Sequence, residues 1–157
     1  MRRLTAGEVA LARGVFADAL DLAPVRLLAG GFGAFAVTLG PWITVPRSAL
    51  RPDYARASLV ERAWLIHELT HAWQFQTAPL RTLASWAKTA ATGGYGPGLP
   101  GYCYALPLQP FARYGLERQA AIVEHAYLLR EGLGCPAIPA GARWADYASA
   151  TPFVGLS

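Results

Sequence analysis

The stretch Ser58 to Gln76, SLVERAWLIHELTHAWQFQ, constrains the fold more than any other part of the chain. Ser58 with Glu61 three residues on forms a capping box, and Leu59, Ala63, Ile66, Thr70 and Trp73 recur at helical spacing, with Pro79 just beyond. The spacing predicts a helix up to about Gln76. Leu65, Ile66, Leu69, Thr70, Ala72 and Trp73 are uncharged, so this helix belongs inside the protein, yet it carries His67, Glu68 and His71. Residues four apart in a helix are rotated by about 40° and lie one turn above another, so the two imidazoles project from one face and can converge on one ion. Glu68 stands beside the first of them, where a carboxylate can reach a water on the metal without binding the metal itself. A chance H-E-x-x-H would arise in well under ~1% of shuffled sequences with these few histidines, so the spacing carries information. The competing reading makes the two histidines core residues and Glu68 a solvated surface charge.

A catalytic zinc site usually takes three protein ligands and leaves one position for water. Gln74, Phe75, Gln76 and Thr77 follow His71 where a third histidine of the H-E-x-x-H-x-x-G-x-x-H kind would need a different sequence, so the third ligand is expected to be a carboxylate from a second helix. Glu117 is the candidate, in Glu117-Arg118-Gln119-Ala120, because Ala120 and Ala121 are small and let that helix come close. Alternatively, Glu117 is a helix-start glutamate favoured by the helix dipole. Glu124, two turns later on the same face, is either an acceptor for a histidine N–H or itself the ligand. A tetrahedral intermediate also needs a donor for its oxyanion, for which His125, Tyr102, Tyr104, Tyr114 and Tyr127 are available.

Elsewhere the pattern is that of an α+β protein, with a small antiparallel sheet packed on three or four helices in one domain, 1–157. Thr5 and Glu8 form a capping box with Leu4 and Val9 as hydrophobic staple, opening a helix from about Ala6 to Leu20. Val25 to Leu28, Phe35 to Leu39 and Trp42 to Val45 are short apolar runs separated by glycine-rich punctuation, as in antiparallel strands. Helices are expected again from about Leu80 to Ala91 and from Leu116 to Glu131, and Gly93 to Pro110 is expected to be a long loop. The metal site would lie between the His67 and Glu117 helices.

Hydrophobic residues make up 54% of the chain and charged ones 15%, so membrane insertion has to be weighed. The uncharged stretches Leu27 to Pro46 and Thr89 to Ala112 are broken by glycine and proline, which suits turns and short strands better than a spanning helix. Glu8, Arg13 and Asp18 interrupt any signal-peptide core, so the expected location is cytoplasmic, or outside by a route without an N-terminal signal. The formal net charge of +4 comes from scattered basic residues with no stripe interleaved with aromatics, which argues against a nucleic-acid partner. Cys103 and Cys135 fit no metal or redox spacing and are expected to be thiols, though they could pair.

His67-Glu68-Leu69-Thr70-His71 followed by Glu117-Arg118-Gln119-Ala120 resembles the gluzincin metallopeptidases, whose motifs are H-E-x-x-H and a later E-x-x-A. More closely, the chain resembles the small bacterial metallopeptidases described as Vgr-related or as core domains near contractile-injection and type VI secretion genes. That likeness covers Leu4-Thr5-Ala6-Gly7-Glu8 with Val15-Phe16, the segment His67 to Gln74, and the region Phe111 to Ile122. It implies a zincin-like fold, a Zn²⁺ ion held by His67, His71 and Glu117, and Glu68 as the base. Gluzincins often place an acidic residue four positions after the third ligand, and here Ala121 stands there. The resemblance also implies that the strand Ala34 to Leu39 pairs with an extended peptide substrate. The substrate would be a peptide, a protein or the peptide part of cell-wall material, and secretion-apparatus proteins are implied as partners. Two further readings stay open: a zinc-stabilised, inactive adaptor of a secretion apparatus, and a hydrolase of something other than peptides.

Overall fold

A computed structural model describes residues 1–30, 36–91 and 102–156. Helix α1 (Ala6–Phe16) starts at Thr5, whose hydroxyl accepts from Glu8 N–H while the Glu8 carboxylate accepts from Thr5 N–H. It stops at Phe16 rather than Leu20, because Ala17 takes a positive φ of 48° and its N–H returns to the Arg13 carbonyl. The capping glutamate has a second role. Glu8 is wholly buried, its carboxylate accepts both guanidinium N–H groups of Arg2 at 2.7 Å, and it also accepts Tyr54 N–H at 2.9 Å. Removing it strands two backbone N–H groups and a half-buried cation, so Glu8→Ala is expected to destabilise the fold by about 3 kcal/mol. Urea titration checks this, and a loss under about 1 kcal/mol would show the node to be dispensable.

The strands are β1 (Arg2–Arg3), β2 (Arg26–Ala29), β3 (Val37–Leu39) and β4 (Trp42–Val45), in the order β1-β2-β4-β3. The sheet is mixed, which corrects the antiparallel sheet expected from the sequence: β1 with β2 and β3 with β4 are antiparallel, but β2 and β4 run parallel. The physical reason is local. β3 and β4 form a tight hairpin at Gly40, where φ is +60°, and it is the inner arm of that hairpin, β4, that docks on β2. β3 is thereby left at the edge. Phe35 and Ala34, expected at the start of this strand, lie outside the described residues.

Leu27, Ile43 and Val45 turn into the core, where they meet α2 (Leu59–Thr77). The helix begins at the Ser58–Glu61 capping box as the sequence indicates. Every residue from Leu65 to Ala72 is buried, because α2 runs between the sheet and α4 (Leu116–Arg130). Ala120 and Ala121, both buried, bring α4 close to it. α3 (Pro79–Ala91) follows after Ala78 and is tied back by Thr82, whose hydroxyl donates to the Gln74 carbonyl. A short α5 (Trp144–Ala148), not anticipated from the sequence, packs on α4 and makes five α-helices among the described residues, one more than expected. The expected loop Gly93 to Pro110 lies outside the described residues as far as Gly101. No helix among the described residues is long and apolar enough to cross a membrane.

Candidate metal centre

Packing α2 against α4 brings His67, His71 and Glu117 together. His67 Nε2 lies 3.4 Å and His71 Nε2 3.3 Å from the same carboxylate oxygen, Glu117 Oε2. Those separations exceed the 2.7–2.9 Å or so of a good charge-assisted hydrogen bond. They match the edge of a tetrahedron, about 3.3 Å for ligands about 2.0–2.1 Å from a central zinc. Two imidazole nitrogens and a carboxylate oxygen, all within 4.8 Å of one another, therefore fit zinc in chemistry and in spacing.

The other ring nitrogens are tied back. His67 Nδ1 lies 2.9 Å from Glu124 Oε2, and since a carboxylate only accepts, Nδ1 is the protonated nitrogen. His71 Nδ1 is 2.8 Å from Gln74 Oε1. The Gln74 amide orientation is set from its far side, because its NH₂ group donates to the Leu116 carbonyl and to Gln119 Oε1. Gln119 in turn donates to the Phe111 carbonyl. Both imidazoles thus carry hydrogen on Nδ1 and turn Nε2, the nitrogen left for an ion, toward Glu117.

Burial alone would lower the pKa of His67, but its hydrogen bonds with Glu117 and Glu124 outweigh that and hold it well above the imidazole range. His71 is raised in the same way against its burial, chiefly by the charge of Glu117. Burial would raise Glu117 itself, yet the charge of His71 and the bonds to both histidines keep it well below the usual carboxylate range. Each group thus holds the other in its charged form. A cation arriving here would replace the two imidazole protons and keep the carboxylate.

Glu68 is 6% exposed, so it is not the solvated surface charge of the competing reading. Its carboxylate stands outside the three-residue cluster, accepting the Thr38 hydroxyl of β3 at 2.6 Å. Thr38 and Gln74 escape notice in the sequence. A helical register could have pointed to Gln74, three residues after His71, but no spacing rule links a strand threonine to a glutamate thirty residues on.

His67, Glu68, His71, Glu117 and Glu124 line one cavity of about 800 Å³. Tyr102, Tyr104 and His125 line it too. Tyr102 stacks on His67 with ring planes 13° apart, so it sits beside the candidate ligand. The Tyr104 hydroxyl meets His125 Nδ1 in a short hydrogen bond and the Tyr147 hydroxyl at 2.9 Å, so it is held from two sides. Burial pushes the Tyr104 phenol up and the His125 imidazole down, and both are neutral near pH 7. Cys103 and Cys135 stand on the same cavity wall.

No family model matches the chain. In sequence it is 28% identical over 152 residues to the type VI secretion system spike protein VgrG2b of Pseudomonas aeruginosa, covering 85% of this chain. It spans only 13% of the length of that relative. In structure it is similar to the effector domain of Pseudomonas aeruginosa VgrG2b, with a TM-score of 0.68 and 28% identity over 83% of this chain and 75% of the other. Sequence and fold alike relate the chain to the effector domain of a type VI secretion spike protein.

Proposed function

We propose that this chain is a zinc-dependent peptidase of the gluzincin type with a zincin-like fold, acting as an effector associated with a type VI secretion apparatus. One observation carries the chemistry: His67 Nε2 and His71 Nε2 both stand at the edge length of a zinc tetrahedron from Glu117 Oε2, with a fourth polar group, Glu68, buried and left out of the set. Zinc bound there would polarise a scissile carbonyl and acidify the attacking water. Glu68 takes the proton of that water and returns it to the leaving amine. Thr38 holds one of the Glu68 oxygens, which leaves the other to do this. His125, Tyr104 and Tyr102 line the same cavity and are the candidates to donate to the oxyanion. The edge strand β3, whose Val37 and Thr38 line the cavity, would take an extended substrate by main-chain pairing.

The likeness to a spike-protein effector domain supports both the secretion-apparatus partners and export without an N-terminal signal. Purified protein is expected to hold about one zinc per chain by elemental analysis. Absence of any transition metal after mild purification and zinc addition would sink the proposal. One zinc with no Glu68-dependent peptide turnover would favour the inactive adaptor, and Glu68-dependent hydrolysis of other substrates alone would favour a non-peptidase hydrolase.

A further inference from the structure

The charges of the cavity come from two helices only. Among the described residues, its ionised groups and imidazoles are His67, Glu68, His71, Glu117, Glu124 and His125 on α2 and α4, and no lysine or arginine lines it. The remaining walls include Val37, Trp86, Tyr102 and Ile138. Apart from Thr82 and Trp86 on α3 and the uncharged Trp64, Phe75, Leu116 and Ala121 on α2 and α4, they are drawn from the stretches 27–46, 89–112 and 132–142, which contain no Asp, Glu, Lys or Arg. The chain has 14 lysines and arginines, and the residues outside the described set include none of them. The cations are thus all placed away from the cavity.

Once His67 and His71 hold an ion as neutral ligands, a ligand carboxylate entering this cavity finds no cationic side chain and meets three carboxylates. Even a divalent ion at the centre leaves one net negative charge there. A ligand cation fares little better, since each carboxylate is already engaged: Glu117 by the two histidines, Glu124 by His67, and Glu68 by Thr38. Burying an unpaired charge of either sign is costly, whereas an apolar side chain against Trp86 or Ile138 gains roughly 25 cal/mol per Å² removed from water. The volume of about 800 Å³ takes a stretch of chain rather than one side chain.

From this charge distribution we propose that the occupant is an internal, uncharged, largely apolar segment of an extended polypeptide. Chain ends and short acidic peptides, including cell-wall stem peptides with their free carboxylates, are excluded by the same charges. The inference deepens the peptidase reading and relies on it for turnover, but binding tests it separately. Zinc-loaded Glu68→Gln protein is titrated with fluorescent decapeptides blocked at both ends, one apolar and one carrying two central aspartates. The apolar peptide is expected to bind at least about tenfold tighter. Ala137→Lys, at an exposed position of the uncharged wall, should narrow that ratio several-fold. Equal or tighter binding of the aspartate peptide, or a ratio unmoved by the lysine, overturns the inference. Wild-type protein is then given an unfolded test protein and purified stem peptides. Glu68-dependent internal cuts between uncharged residues support the assignment. Glu68-dependent trimming of chain ends or cleavage of stem peptides overturns it while the peptidase reading stands. The binding preference without any Glu68-dependent cut would sink the peptidase reading and keep the inference.

Discussion

Glu68→Gln is expected to lower peptide hydrolysis by about 10²- to 10⁴-fold while leaving zinc content and stability nearly unchanged. The amide has the shape of the carboxylate and still accepts the Thr38 hydroxyl, so the buried contact between β3 and α2 persists. It has no basic oxygen, so it takes no proton from the attacking water. Because Glu68 lies outside the cluster of His67, His71 and Glu117, the metal should stay. Elemental analysis beside a turnover assay reads both quantities. A variant that loses its zinc would make Glu68 a ligand, and one that keeps full turnover would remove it from the chemistry.

Glu117→Ala should have the second largest effect, a loss of zinc affinity well beyond that of Glu124→Ala. The first removes the oxygen that faces both Nε2 atoms, and it leaves two imidazoles with no carboxylate between them. The second removes the acceptor behind His67 Nδ1, which frees that ring to turn and lowers its basicity, and such a change costs about 10- to 100-fold in metal affinity. Some activity should survive it. Titration against a competing chelator ranks the two variants. A larger loss for Glu124→Ala would exchange the roles of the two glutamates and leave the histidine pair as it is.

Helix positions were legible in the sequence because the signals that make a helix are local. Ser58 and Glu61 mark the start of α2 three residues apart, and the four-residue step from His67 to His71 places both rings on one face. The division of labour between Glu117 and Glu124 was not legible, since both lie on one face of α4 and only its packing against α2 decides which carboxylate meets which ring nitrogen. Sheet order was hidden for a similar reason. Alternation and turn residues show that β3 and β4 form a hairpin, but which arm then docks on β2 depends on contacts across the core. Tyr102 and Tyr104, two residues apart and both available as oxyanion donors in the sequence, meet different neighbours, His67 and His125, which no local spacing shows.

The proposed ligand set draws on residues about fifty positions apart, two on α2 and one on α4. An ion held between them is a cross-link, and closing a loop of that length covalently is worth about 4 kcal/mol of chain entropy. The tie acts at the two helices and asks nothing of the sequence that connects them. That connecting chain contributes Tyr102, Cys103 and Tyr104 to the cavity wall, so its composition can drift, and the choice of substrate with it, while the joint between the helices keeps its strength.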